Sequence, residues 1–415
     1  MTYAIDPNEF AAVAKSDSEA INLAVRTAKE RGVDKVLIPR ENKRTGAPLW
    51  EIAEAILLPS GIEIVLDNCT LRQADGCFDN IFRTEHTRKE EGQNAALRHR
   101  NIHIRGLGNA VLDGGTPNGL TERTSQKDGM PHVSANNMIL MTNVEQFSIT
   151  GLTLRDMRWW AINLIFASDG RLANLTFDAR DNIPNQDGID LRVGCHHIAI
   201  ENIFGRAGDD LVALSGFGGS EKRLGFWVEG LSPDIRYITI RNVCGSSVTK
   251  GIVALRNHDG IKLHDIDIDG ITDTSADGKS RPYAVLRIGQ KTYSHLGFSQ
   301  MSDTSRISAR NIHASSGDAV MVNVTLENAI FENIFLGAGA RSAFTTRSDW
   351  KAPGASLHAV VIRGVFCEPG GTAPIIDLVA EHEGEALDGV RISDLFAEEG
   401  RVRLASNYTT SPMME

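Results

Sequence analysis

The stretch Asn101-Ile102-His103-Ile104-Arg105-Gly106 decides the fold, because it recurs. The same alternation, with Asn or Gly often just before or after it, appears at Gly61-Ile62-Glu63-Ile64-Val65-Leu66, Gln146-Phe147-Ser148-Ile149-Thr150-Gly151, His197-Ile198-Ala199-Ile200-Glu201-Asn202 and Tyr237-Ile238-Thr239-Ile240-Arg241-Asn242. Later copies are Gly260-Ile261-Lys262-Leu263-His264, Arg306-Ile307-Ser308, Ala359-Val360-Val361-Ile362-Arg363-Gly364 and Gly389-Val390-Arg391-Ile392-Ser393. A period of two marks strands with one buried face. Most copies lie about 20 to 46 residues apart, the short gaps being single coils of a solenoid and the long ones coils with inserted loops or two coils. Each such coil buries its apolar face only by stacking on its neighbours. The pattern predicts an all-β chain wound as a parallel β-helix over residues 41–405, within a single domain spanning 1–415. A β-sandwich or propeller does not demand this repeat, and no helical pattern separates the strands as a βαβ sheet would require.

Residues 1–40 read as a cap helix and a first strand. Ser16-Asp17-Ser18-Glu19 fits a capping box, Ile21, Val25 and Ala28 follow at helical spacing, and Gly32 closes the helix. Lys35-Val36-Leu37-Ile38 then reads as a strand. A helix here can cover the open end of a stacked sheet, which otherwise presents unpaired strand edges. The repeat lapses over 84–96, 116–130, 216–236 and 273–281. Long loops on one side of a solenoid often wall a groove, and the 216–236 segment is the candidate for closing one end of it.

The 415 residues are 41% hydrophobic and 23% charged, ordinary for a soluble globular protein. A net charge of −10 argues against a nucleic-acid backbone as partner. There is no apolar run of membrane-spanning length, so no membrane partner is expected. Met1-Thr2-Tyr3-Ala4-Ile5-Asp6 lacks the basic and apolar regions of a secretion signal. The chain is therefore expected to be cytoplasmic, or secreted with its signal removed, and its oligomeric state is open. The five cysteines, Cys69, Cys77, Cys195, Cys244 and Cys367, have no metal-like spacing and read as buried free thiols, with Cys69 and Cys77 a pair if oxidised. No phosphate loop, Gly-x-Ser-x-Gly or cofactor fingerprint is present, so neither cofactor nor metal is expected.

The chemistry concentrates in Asn185-Gln186-Asp187-Gly188-Ile189-Asp190 and Gly208-Asp209-Asp210. Asp187 and Asp209 are 22 residues apart, which in a solenoid stacks one carboxylate over the other. Neighbours on a regular strand face opposite ways, so Asp209 and Asp210 can act together only across a bend, which Gly208 permits. Three carboxylates suit glycoside hydrolysis: one acid protonates the leaving oxygen, and another carboxylate activates water or attacks the anomeric carbon. The third raises the acid's pKa by like-charge repulsion. Trp160 is a candidate stacking surface for a carbohydrate, with its neighbour Trp159 in the core. His196 and His197 read as turn residues, and His258 with Asp259 as a weak metal candidate. Asp265, Asp267 and Asp269 would share one face of a regular strand and read as a solvated face rather than a metal site.

These motifs reach a family. From about Leu112 to Ser215, and more loosely over residues 16–290, the chain resembles the family 28 glycoside hydrolases, the polygalacturonase group. Gly106-Leu107-Gly108-Asn109-Ala110-Val111-Leu112-Asp113-Gly114 looks like its early strand and turn. Gly151-Leu152-Thr153-Leu154, followed by Trp160-Ala161-Ile162-Asn163-Leu164, is similar to its next coil. Asn185-Gln186-Asp187 matches its Asn-x-Asp motif and Gly208-Asp209-Asp210 its Gly-Asp-Asp motif. The resemblance implies a right-handed parallel β-helix and an inverting hydrolysis of a uronate-containing, pectin-like glycan. Asp209 would be the general acid, Asp187 and Asp210 would hold the water, and Asn185 would contact substrate. Two positions depart from the pattern. Lys250 stands where the family has a His, and in Leu286-Arg287-Ile288-Gly289-Gln290-Lys291 the family's substrate-gripping Arg is kept as Arg287 while its Lys is Gly289. A uronate lyase or epimerase using Lys250 or Arg287 as base, and a non-catalytic glycan-binding solenoid, are the competing readings.

Overall fold

The computed structural model describes residues 3–127, 129–180, 183, 185–275, 282–291, 297–349 and 351–414. It is a right-handed parallel β-helix with a short helix across its N-terminal end. A first ladder of parallel strands stacks Lys35–Ile38, Ile62–Asp67 and His99–Leu107 and continues through Ile235–Ser247 and Leu263–Asp273 to Arg391–Phe396. A second stacks Leu49–Ile52, Thr70–Gln73, Val111–Asp113 and Thr153–Arg155, then merges with the first in long bent strands such as Ile162–Asp178. A third includes Ile56–Leu58, Phe82–Thr84, Ile189–Leu191, Val212–Gly216, Gly251–Asn257 and Ala284–Ile288.

The aliphatic positions of the repeat become columns. Ile198, Ile238, Ile266 and Ile307 lie in register, as do Ile200, Ile240 and Ile268, all buried. Each buried Ile contributes roughly 1.5–3 kcal/mol, and truncating one such as Ile240 to Ala costs about 2–5 kcal/mol because the stack cannot collapse into the gap. The flanking Asn and Gly are the bends themselves. Asn202 and Asn242 sit at φ 55° beyond the repeat, where Gly151 takes the same place at 70°. Their amides form a ladder, Asn242 donating to Asn202 (2.8 Å) and Asn202 to Asn174 (3.0 Å). The bend before the repeat is also left-handed, but His197, Tyr237, Arg306 and Ala359 occupy it. Such residues hold that conformation only because the stacked coils on both sides dictate it.

The cap helix, Asp17–Arg31, is bounded by Ser16, whose hydroxyl accepts from the Glu19 amide (3.1 Å), and by left-handed Gly32. The second arm of the expected box lands one residue earlier, the Glu19 carboxylate accepting from the Lys15 amide (2.6 Å). Its apolar face, Ala20, Ile21, Ala24, Val25 and Ala28, is buried. Its polar residues treat the open edge: Asp17 accepts from the Glu51 amide (2.9 Å), Ser18 from Ala53 (2.9 Å) and Asn22 from Leu57 (3.0 Å). The first coil's unpaired amides thus find partners on the helix, which removes a site for edge-to-edge association.

All five cysteines are free, so the conditional Cys69–Cys77 pair is not formed; Cys69 and Cys195 are buried, whereas Cys77, Cys244 and Cys367 are only half-buried. No described helix is long and apolar enough to cross a membrane. Of the 273–281 insertion, residues 276–281 lie outside the described residues.

Candidate active site

The acidic run sits on the bends that lead into the third ladder. Asp187 precedes Ile189–Leu191, and Asp209 and Asp210 lie between His196–Ala207 and Val212–Gly216. The register Ile189 to Val212 carries Asp187 under Asp210, not under Asp209 as the spacing of 22 suggested. The reason is a bulge. The amides of Gly208 and Asp209 both donate to the Gln186 carbonyl (2.9 and 3.3 Å), and the Gly188 amide donates to the Asp210 carbonyl (3.0 Å). Two residues therefore face one, and a bulge re-aims side chains in this way. Gly208 is required there: a Cβ would lie 2.8 Å from the Gln186 side chain.

Asp187, Asp209 and Asp210 each bring an oxygen within 4.8 Å of the other two. Asp187 and Asp210 are buried, at 2% and 0% exposure, while Asp209 is half-buried. Asp210 is the most firmly held. It accepts from the Gly251 amide (2.8 Å), from Arg287 through both oxygens (3.1 and 2.9 Å), and faces Arg256 at 3.4 Å. Arg287 stands two strands further along, and the outward positions between are Ala213 and Ala254, small enough to let it reach back. Arg287 also donates to Gln290 (2.8 Å) and Arg256 to Ser215 (3.0 Å). A trio this close could also meet a divalent ion, but the two guanidiniums already bring positive charge to it.

The carboxylates differ in their protonation. Burial, then repulsion from Asp210, lifts Asp209 to about 6, with Arg256, Lys250 and Arg287 pulling the other way. Burial, then Asp190, Asp209 and Asp210, pushes Asp187 well above the usual carboxylate range. Burial also acts on Asp210, yet Arg287, Arg256 and the Gly251 amide outweigh it and hold Asp210 below its ordinary value. One ionised carboxylate thus lies beside groups that keep protons, a division of labour that like-charge crowding imposes.

The other expected site residues are placed as follows. Asn185 is half-buried, in the left-handed conformation (φ 59°) at the head of the Asp187 bend. Lys250 is half-buried, its amide held by Ser247 (3.0 Å), and its charge acts on Asp209. Arg287, expected to grip a substrate carboxylate, is 2% exposed and committed to Asp210. Trp160 is half-buried, with the Arg192 guanidinium 4.8 Å from its ring centre and 5.1 Å from that of Phe217. Trp159 is buried with Leu120, Val133 and Ala135. His196 and His197 touch each other (2.8 Å) on the first ladder, outside this cluster. His258 stacks on Phe217 at 4.7 Å. Asp265, Asp267 and Asp269 do not share one regular face, because Asp265 occupies a left-handed bend (φ 56°). Arg306 bonds Asp265, while Arg241 and Arg310 bond Asp267 and Asp269.

Sequence reasoning passed over Asp190 and Arg256. Asp190 is fully buried, neither carboxylate oxygen has a hydrogen-bond partner, and burial lifts it to about 8 against the pull of Arg192 and Arg256. Alternation carried a signal for both, since each is a charge at an outward position of the third ladder, in register with small residues: Asp190 with Ala213, Arg256 with Ser215. The 216–236 loop also packs down rather than standing open. Glu221 on its helix Gly218–Arg223 makes a buried ion pair with Arg192 (2.6 Å). Phe226 and Val228 pack on Leu140, Ile165, Phe166 and Val193, and Glu229 bridges Asn94. This covers the outer face on the N-terminal side of the trio.

Residues 52–221 match the glycosyl hydrolases family 28. That span holds all three carboxylates of the trio. No curated protein matches the sequence. Among solved structures, the pre-mature bacteriophage phi29 gene product 12 is similar at 11% identity and TM-score 0.56, covering 94% of this chain; the chain spans about half, 52%, of that protein. A family 28 exopolygalacturonase from Yersinia enterocolitica is similar at 12% identity and TM-score 0.53, over 95% of this chain and 78% of its own. A mannuronan C-5 epimerase A-module from Azotobacter vinelandii gives 13% identity and TM-score 0.53, over 98% and 99%. At these identities the structural likenesses speak for the fold.

Proposed function

Taking the family 28 match over residues 52–221 as premise, we propose that this protein hydrolyses glycosidic bonds of an oligo- or polysaccharide, uronate-containing and pectin-like, by an inverting mechanism. The observation that carries the reading is the split within the trio: half-exposed Asp209 near 6 beside an Asp210 held ionised by two arginines. Asp209 protonates the glycosidic oxygen. Asp210, with Asp187, holds and deprotonates the attacking water on the other side of the sugar ring. The trio's oxygens lie within 4.8 Å of one another, closer than the about 6.5–9.5 Å usual for inverting sites and nearer the about 5–5.5 Å of retaining ones, so the inverting reading rests on the family match and not on the spacing. Arg287 acts as a positioning residue for Asp210, and Trp160, packed on the buried Arg192, offers the sugar a flat wall.

A lyase or epimerase has less support, because Arg287 is engaged by Asp210, which leaves Lys250 as the one remaining candidate base for it. A purely binding role fits the burial and ion-pairing of Asp210. Asp187 and Asp190, with buried oxygens that lack a protein partner, are what a site that handles protons and water would carry, and this favours catalysis over binding alone. Incubation with a panel of defined oligosaccharides tests the reading. New reducing ends are expected; an unsaturated uronate product absorbing in the ultraviolet would replace hydrolysis with elimination.

A further inference from the structure

Loops on the N-terminal side of the trio line a half-open cavity of about 380 Å³, with Arg88, Gln93, His132, Ser134, Leu224 and Phe226 among its walls. That volume falls within the roughly 300–1,000 Å³ of small-molecule sites. Three loops separate in sequence build it, and none of its lining residues belongs to the carboxylate cluster. It lies along the same ladder: Arg88 follows Phe82–Thr84 and His132 precedes Ile139–Thr150, strands that stack in register, through Ile162, with Ile189 beside Asp187 and Asp190. Phe217 stands against Arg192 and Arg256, and the six-residue helix Gly218–Arg223, about 9 Å at ~1.5 Å per residue, leads from it to Leu224. On the other wall Trp160 packs with Val133, next in sequence to His132. A β-bridge between Asn94 and Glu229 ties two of the three loops together.

The cavity is positive. Arg88 faces Asp79 only at 3.7 Å, and that carboxylate is already bonded by Arg83. His132 accepts the Ser134 amide at Nδ1 (3.1 Å), so the neutral ring carries its proton on Nε2 as a donor. Burial, then the charges of Arg223 and Arg88, hold that ring down at about 4. Arg88 itself takes a left-handed conformation (φ 67°) that costs energy in a non-glycine residue. Leu224 and Phe226 supply an apolar side. A guanidinium, an imidazole N–H and the Gln93 amide beside an apolar wall suit an anion on a ring-sized polyol.

We propose that this cavity is a terminal subsite that takes the anionic group, carboxylate or sulfate, of the sugar at the end of a bound glycan. It rests on the hydrolase reading of the carboxylate trio. Charge would then be read here rather than by Arg287, and cleavage would proceed from a chain end.

The test is calorimetric titration of the Asp209→Asn protein, which leaves glycan uncut, with a uronate trisaccharide, a sulfated trisaccharide and an unsubstituted neutral one. The expected result is tenfold or more tighter binding of one anionic probe over the neutral one, and the tighter arm identifies the group. Adding Arg88→Gln or His132→Gln should erase that preference and leave neutral binding alone, and Arg88→Lys should restore part of it. Equal binding of all three probes overturns the proposal, as does an anion preference untouched by Arg88→Gln. The two readings fail separately. Arg88-dependent anion binding, with no reducing ends released by the wild-type protein, upholds the subsite and removes the hydrolase. Cleavage indifferent to probe charge and to Arg88→Gln does the reverse.

Discussion

Two acidic clusters with similar sequence patterns have opposite fates in this molecule. Asp265, Asp267 and Asp269 lie on the outside of the first ladder, partly exposed, and Arg306, Arg241 and Arg310 match them. Hydrogen bonds from Arg306 pull Asp265 down to about 2, and those from Asn311 lower Asp269. Asp187, Asp190, Asp209 and Asp210 face Arg256 and Arg287 on the third ladder under packed loops, and three of their buried oxygens lack partners. Asp187, Asp190 and Asp209 are raised instead of lowered. The same side chain is a surface stabiliser in one place and a proton store in the other. Desolvation and the supply of cations decide which.

The largest break in this comparison is catalytic. Asp209→Asn should lower hydrolysis of the best substrate by about 10²–10⁴-fold, the usual worth of a general acid, while Asp267→Asn leaves turnover within about twofold. Steady-state rates on both variants check it. Stability comes next. Arg256→Met strands a buried carboxylate and should cost about 3–5 kcal/mol in denaturant unfolding, whereas Arg310→Met, on exposed pairs, should cost about 0–1 kcal/mol.

The pH dependences should have opposite signs. Asp209 is raised in the fold, so its stabilising effect is complete below the ordinary carboxylate range and fades as pH rises toward about 6; Asp190 extends that loss toward about 8. Asp265 is depressed, so its contribution is present above the ordinary range and fades as pH falls toward about 2. Activity should likewise decline above about 6 as Asp209 loses its proton, and persist into the ordinary carboxylate range because Arg287 and Arg256 keep Asp210 ionised there. A pH–rate profile that rises through pH 7 would contradict this assignment. The smallest effect is at Asp190. Asp190→Asn should raise the melting temperature by a few degrees at pH 9 and leave it unchanged at pH 5, where the carboxyl already holds its proton.

How far the sequence could be read follows from where each rule is local. Alternating Ile positions and Asn bends announce a solenoid because each coil repeats the same steric demand; Ile200 and Asn202 are typical. The bends at His197 and Tyr237 were not legible, because neighbouring coils rather than local preference hold them. In the site, Asp187, Asp209 and Asp210 were found from spacing and motif. Their register was misjudged by one residue, because a bulge does not show in a residue count. Arg287 was found but its partner was not, since the path to Asp210 depends on two alanines from other coils. Arg256 was missed for the same reason: its meaning lies in what it faces.

The fate of the anomeric carbon separates inverting hydrolysis from its rivals most directly. Wild-type protein and Asp209→Asn should be followed side by side by ¹H NMR on the best oligosaccharide found. An initial product of inverted configuration is expected from the wild type and almost none from the variant. A retained anomer, an unsaturated product, or equal rates from the two proteins would contradict this mechanism.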